Sequence, residues 1–305
     1  MAILFAGVAL CQTSADSLGE ARVLLDAGKI SKSESILRNY LAANPTAADA
    51  HFLLGYALFR EQKATESLAE FTAGAKFQHP RADELKVVAA DYVMLGDYSD
   101  ADKWFSQVVS DKPDDADAWY LLGRTKYNEN DFAAAISNFE HSLALRPKYV
   151  EAENNIGLSW KELNDHDKAR VAFQAAIDWQ GDVPVDAQPF LNLGILFADA
   201  NQFDEALPLL KKALSIAPKN PSVHEELGKV YSATNKLSQA QSELEEAIVI
   251  APDTSSLHYK LGQILRKQGK MERAQTEFAI CERLNGAHSS SRTPNPPASS
   301  NSNPK

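Results

Sequence analysis

Cysteine is nearly absent. The 305 residues contain two, Cys11 and Cys281, too few for a disulfide framework. Basic charge is also short: 31 Lys and Arg against 41 Asp and Glu leave a net charge of −10, with no long run of one sign. Nucleic acid and anionic lipid both call for a basic face, so neither is an expected partner. No stretch approaches the ~20 apolar residues of a membrane span. Also missing are a phosphate-cradling glycine loop, a dinucleotide fingerprint and a nucleophile elbow. The acidic pairs Asp114-Asp115 and Glu245-Glu246 read as a helix start and a solvated face. No catalytic constellation emerges, so the chain reads as a non-enzyme that needs no cofactor.

What is present is a period. Aligned on one small residue, the chain repeats at Ala21, Gly55, Ala89, Gly123, Gly157, Gly194, Gly228 and Gly262, spaced by 34 residues except for 37 between Gly157 and Gly194. Twelve residues later comes a second small residue (Ser33, Ser67, Ala101, Ala135, Ala169, Ala206, Ala240, Ala274). Four further on stands a bulky apolar one (Leu37, Phe71, Phe105, Phe139, Phe173, Leu210, Leu244, Phe278). These offsets describe two amphipathic helices per repeat, each about 20 Å long. Glycine inside a helix costs about 1 kcal/mol against alanine. Six copies accept that cost, which points to close approach of the two helices of a pair.

The punctuation is equally regular. Seven residues after the glycine position stand Gly28, Gln62, Gly96, Asn130, Asn164, Asn201, Asn235 and Gly269, mostly types that tolerate the left-handed conformation ending a helix. Three later come Ser31, Thr65, Ser99, Ala133, Asp167, Asp204, Ser238 and Glu272, which read as N-caps of the second helix. Prolines from Pro45 to Pro252 then close it.

This pattern resembles the tetratricopeptide repeat, a 34-residue helix-turn-helix array. The resemblance covers residues 14–288 as eight repeats: 14–47, 48–81, 82–115, 116–149, 150–186, 187–220, 221–254 and 255–288. It implies an all-α fold, a right-handed α-solenoid of sixteen helices without strands. The family's tryptophan position is filled by Trp119 but otherwise by Ser17, His51, Leu85, Glu153, Phe190, His224 and His258. The three extra residues of the fifth repeat, around Gly181 and Pro184, are expected to loosen its junction with the sixth. Pro208 is expected to kink the helix that holds it. Cys281 lies where other repeats have Ala176, Ala213 and Ala247, so it reads as a buried small residue.

The chain ends differ from the repeat. Residues 1–13 carry a short apolar run, Ala2–Leu10, resembling the core of a secretory signal, entire or truncated. It points to export, to a periplasm or beyond; no Lys or Arg precedes Arg22, which keeps a cytoplasmic location as the alternative. Residues 289–305, rich in Ser, Asn and Pro, read as a disordered tail. Glu282 stands where earlier repeats have an apolar residue, as expected of a terminal repeat.

Seven histidines invite a metal reading. His51, His224 and His258, however, share one repeat position, and neighbouring repeats lie about 10 Å apart. Zinc ligands must reach within about 2.3 Å of one ion, so no metal site is expected.

Function then falls to the surface, and the resemblance implies a concave groove lined by each first helix, using the second, fifth, ninth, twelfth and thirteenth residues. Carried onto this chain, these positions give Phe52, Tyr56, Phe59, Lys86, Tyr120, Arg124, Tyr127, Asn128 and Asn154 as candidate partner-binding residues. They are rich in the aromatic and arginine types that dominate interface hot spots. Ala198, Asp199, Ser222 and Glu225 make the sixth and seventh repeats poorer anchors. The family's clamp for chaperone C-termini is not met, since Lys86 is followed by Ala90 instead of Asn. The expected function is a protein–protein interaction scaffold holding a peptide or helix of a partner protein. The alternatives are an accessory subunit of an envelope secretion, pilus or outer-membrane assembly system, or the targeting arm of a glycosyltransferase-like enzyme system.

Overall fold

The computed structural model describes residues 17–290, and among them there are sixteen helices and no strand. They run α1 (17–26), α2 (Ile30–Ala43), α3 (Ala48–Arg60), α4 (Ala64–Ala75), α5 (Ala82–Leu95), α6 (Tyr98–Asp111), α7 (Ala116–Asn128), α8 (Phe132–Leu145), α9 (Val150–Glu162), α10 (His166–Asp178), α11 (Gln188–Asp199), α12 (Phe203–Ile216), α13 (Pro221–Ala233), α14 (Leu237–Ile250), α15 (Ser255–Lys267) and α16 (Met271–Ser290). From α2 to α9, and again from α11 to α16, consecutive helices pair and stack in the manner of an all-α solenoid. The chain divides into two compact units, an N-terminal one up to Ala172 and a C-terminal one from Phe173, the division falling inside α10. The signal-like residues 1–13 lie outside the described residues, as does the tail from residue 291. Helix α16 reaches Ser290, two residues past the expected end of the last repeat.

Within each unit the pairing has a visible cause. A Cβ built on Gly55 would lie 2.8 Å from the Phe71 ring, and one on Gly123 would lie 2.7 Å from Phe139. In the C-terminal unit the same contacts are 2.8 Å from Gly194 to Leu210, 2.9 Å from Gly228 to Leu244 and 2.6 Å from Gly262 to Phe278. The bulky residue sixteen positions on therefore stands on the bare glycine backbone. A methyl group there would be too close for ordinary van der Waals packing.

The turns follow one design. Gly28, Gln62, Gly96, Asn130, Asn164, Asn201, Asn235 and Gly269 all have positive φ; in the turns of repeats two, four and six, for instance, Gln62 is at 62°, Asn130 at 64° and Asn201 at 59°. After each, the next N–H reaches back to the carbonyl five residues earlier, as Lys63 to Leu58, Asp131 to Lys126 and Lys236 to Tyr231. That is the Schellman arrangement. Its compactness corrects the expected N-caps. The residue just after the left-handed one already caps the second helix, so Ser31, Thr65, Ser99, Ala133, Asp167, Asp204, Ser238 and Glu272 lie two residues too late, inside the helices. Where an aspartate holds the true cap, its carboxylate accepts a backbone N–H: Asp97 from Asp100, Asp131 from Ala134 and Asp165 from Lys168.

The long connection of the fifth repeat lies in the C-terminal unit. Gln180 ties it down: its Oε1 accepts from the N–H groups of Val185 (3.1 Å) and Asp186 (2.8 Å), and its Nε2 donates to the Asp186 carbonyl (3.2 Å). The segment is therefore pinned, although Val183 and Val185 are 81% and 85% exposed. Gln180→Ala is expected to make residues 181–186 the first internal site of limited proteolysis; an unchanged cleavage pattern would show that the side chain does not hold the loop. Pro208 sits inside α12, which runs on to Ile216 without interruption. Cys281 is only partly covered, its Sγ accepting from Asn285 Nδ2 at 3.6 Å, whereas Ala176, Ala213 and Ala247 are fully buried.

Candidate functional site

In the N-terminal unit the first helices of neighbouring repeats meet, α3 against α5 and α7 against α9. Two hollows open on this row. One, of about 260 Å³, lies between α1, α3 and α5, with Phe52, Leu53, Tyr56, Phe71 and Val87 as its apolar walls and Arg22, Arg81, Asp49 and Asp83 around it. The other, of about 210 Å³, lies between α3, α5 and α7 and is lined by Phe59, Ala90, Val93, Met94, Phe105 and Leu121, with Arg124 and Asn128 at its rim. Tyr56 of the first and Phe59 of the second stack with centroids 6.4 Å apart, so an aromatic pair joins the two hollows.

The candidate residues divide by what already holds them. Tyr56, Phe59, Arg124 and Asn128 keep exposed surface on this row. Arg60 donates to the Tyr56 hydroxyl at 3.3 Å, and the Arg124 guanidinium lies 5.9 Å from the Tyr120 ring centroid. Neither arginine has a carboxylate partner among the described residues. Lys86 is engaged, its Nζ donating to Asp115 Oδ2 at 2.6 Å. Burial works to raise the Asp115 carboxyl, but Lys86 and the Ala118 N–H outweigh it and hold the group below its usual range. Lys86 thus clips one repeat to the cap of the next.

Tyr120 packs on Phe139 and Tyr149, with centroids 5.7 and 5.0 Å away, and its hydroxyl accepts from Asn155 Nδ2 at 3.1 Å. Burial raises the phenols of Tyr120 and Tyr127, and pushes Tyr149 up to about 12. Tyr127 meets Phe132 edge-on at 5.3 Å. Phe52 and Asn154 keep only 3% and 7% of their surface. Phe52 stacks on Phe71 and stands over Gly74, where a Cβ would come within 2.6 Å of its ring. Asn155, one residue along α9, is the amide that reaches the aromatic cluster of Tyr120.

The three histidines at one repeat position have a different role. Each ring has Nε2 at 2.9–3.0 Å from a prolyl carbonyl (Pro45, Pro218, Pro252) and Nδ1 at 2.7–2.8 Å from a glutamate (Glu70, Glu243, Glu277). Trp119 makes the matching contact in its own repeat, its indole N–H donating to the Pro113 carbonyl at 3.0 Å while the ring stacks on His141 at 4.5 Å. Among the described residues no three His, Cys, Asp or Glu side chains gather as metal ligands would. The glutamate partner, nineteen residues on, is a signal that sequence reading missed.

Helix pairs stacked in register, with apolar hollows between their first helices, define a repeat scaffold. Models of the tetratricopeptide repeat match residues 18–82, 89–150, 120–182, 161–221, 197–264 and 255–288, and the chain belongs to that family. The BBSome complex member BBS4 homolog of Drosophila melanogaster is 25% identical over 189 residues, 61% of this chain and 38% of that protein. The chain thus spans less than two fifths of that relative's length. A tetratricopeptide repeat protein from Parabacteroides merdae superposes with a TM-score of 0.67 at 18% identity, covering 83% of this chain and 99% of the other. PilW, described as a widely conserved type IV pilus biogenesis factor, superposes with a TM-score of 0.60 at 21% identity over 69% and 95% of the two chains. At these identities the superpositions establish the fold. No helix among the described residues is long and apolar enough to cross a membrane.

Proposed function

We propose that this chain is a non-catalytic scaffold that holds an extended peptide or helix of a partner protein along the first helices of repeats two to four. The observation that carries the reading is the pair of apolar hollows joined by the Tyr56–Phe59 stack. Rigid aromatic walls supply contact area at low entropic cost. The two arginines without acid partners, Arg60 and Arg124, favour a ligand that carries acidic groups beside its apolar side chains. The fifth repeat, expected to share the site, lends Asn155 to hold Tyr120 in place.

The test uses the intact protein and a Tyr56→Ala/Arg124→Ala variant in parallel affinity purification with mass spectrometry. Each truncation is expected to weaken capture by about 1 kcal/mol or more, roughly thirtyfold or beyond for the pair, with the helical circular-dichroism signal and melting unchanged. Partners retained by the double variant, and lost instead on changing Leu209 of the C-terminal unit, would overturn the reading. A placement in the cell envelope draws support from the apolar run Ala2–Leu10; fractionation of the natural host, with the protein recovered only from cytosol, would refute it.

A further inference from the structure

In four of the eight repeats the fourth position of the first helix holds a ring, His51, Trp119, His224 or His258, that bonds to the preceding prolyl carbonyl. His51 meets Glu70, His224 meets Glu243 and His258 meets Glu277, each nineteen residues on. The fifth repeat departs from that histidine pattern twice. Glu153 replaces the ring, and nineteen residues on stands Ala172. An acid has no N–H to offer the Pro147 carbonyl, and alanine cannot fill the partner's place.

A cavity of about 390 Å³ results, between α8, α9 and α10 of the N-terminal unit. Leu143, Ile156 and Val171 give it apolar walls, and Trp160 stands on its side. Five charged residues face it: Glu140, Glu153, Asp167, Lys168 and Arg170. Three of these are already balanced. Lys168 pairs with Asp165 at 3.0 Å and lies 3.9 Å from the Trp160 ring centroid, and Arg170 pairs with Asp167 at 3.6 Å. Glu140 and Glu153 have no cationic partner among the described residues. Burial, and then the neighbouring Glu140, push the Glu153 carboxyl up to about 7. A half-buried carboxylate beside a like charge is costly until a cation joins it.

We propose that this cavity is a docking site for a lysine or arginine side chain of a partner protein, its methylene stem along Leu143, Ile156 and Val171 and its charged head between Glu140 and Glu153. Long basic side chains suit such a place, because their stems are apolar and only their tips need an anion. Trp160 borders the cavity with its ring already holding Lys168 at 3.9 Å, so its indole serves as a reporter of occupancy. The site is separate from the hollows of repeats two to four, so it adds a basic contact to whatever those hollows hold.

The probe is an acetylated, amidated heptapeptide Gly-Ser-Gly-Arg-Gly-Ser-Gly, with the citrulline peptide as its neutral isostere. The full chain carries ¹⁵N in its tryptophan indoles, and Trp160→Phe assigns the Trp160 signal. The arginine peptide is expected to shift that signal saturably at millimolar concentration while Trp104, Trp119 and Trp179 stay fixed. The citrulline peptide, and the Glu153→Gln or Glu140→Gln variant with the arginine peptide, should bind at least about tenfold more weakly. Affinity should rise between about pH 6 and pH 8 as Glu153 loses its proton. Equal binding of the two peptides, indifference to both glutamine variants, or no saturable shift at Trp160 would overturn the proposal.

Discussion

Replacing Asp91 with asparagine is expected to stabilise the N-terminal unit by about 2–3 kcal/mol at neutral pH and to change little below about pH 4. Asp91 of α5 is fully buried. Its Oδ2 lies 2.6 Å from Ser67 Oγ, which is also 2.8 Å from the Gly55 carbonyl, and its Oδ1 has no hydrogen-bond partner among the described residues. One serine hydrogen thus faces two acceptors. A proton on Asp91 completes the chain, because the acid then donates to Ser67, which donates to Gly55. Burial accordingly raises the carboxyl from 3.8 to about 6, with the Ser67 contact opposing it weakly. Asp91 holds its proton more tightly folded than unfolded, so its contribution is fully present below about pH 4. It is lost as the pH climbs through 6, and above that the folded chain carries a buried charge.

An asparagine amide can donate to Ser67 at every pH, which removes the penalty. Denaturant unfolding of both proteins, followed by hydrogen exchange in α5, measures the difference: the two should diverge as pH rises from about 4 to 7. A variant less stable than the parent at neutral pH would mean that Asp91 is held by something other than this chain of hydrogen bonds.

A sign of this was present in the sequence. Two residues beyond the glycine position, repeats two and four to eight carry Ala57, Thr125, Ser159, Leu196, Val230 and Ile264, all buried, and Asp91 is the charge in that column. Much of the architecture was legible in the same way. The small residues mark where a neighbouring ring stands, and Gly28, Asn130 and Gly269 mark left-handed turns, because steric exclusion ties these types to these places. The cap positions were legible only to within two residues, because a Schellman turn shares its last residue with the next helix. The candidate site was less legible. Neighbours on a helix point about 100° apart, so the family's groove positions placed Asn154 at the surface where Asn155 does the reaching. They also gave Phe52 as a partner-binding residue, and its ring both packs on Phe71 in the α3–α4 contact and walls the hollow between α1, α3 and α5. Which aromatics remain free depends on partners a full repeat away, such as Tyr149 against Tyr120, and no local pattern encodes that.

The pairing of glycine with a ring leads to a change of sign in a double-mutant cycle. Phe139 is fully buried over Gly123, so Phe139→Ala is expected to cost about 3–5 kcal/mol through lost burial and a cavity. Gly123→Ala alone is expected to cost about 1–2 kcal/mol. The overpacking at 2.7 Å from the ring exceeds the roughly 1 kcal/mol that alanine gains in helix propensity. The third repeat is built around a methyl group at this place, Ala89 with Phe105, both buried, whereas α7 and α8 are packed on the bare backbone of Gly123. Once Phe139 is alanine the obstruction is gone and only the propensity term remains. Gly123→Ala should then stabilise the Phe139→Ala protein by about 1 kcal/mol, a coupling of about 2–3 kcal/mol between the two sites. Equilibrium unfolding of the four proteins measures it. If Gly123→Ala costs the same in both backgrounds, the ring is not what requires glycine there, and the backbone contact between α7 and α8 must be.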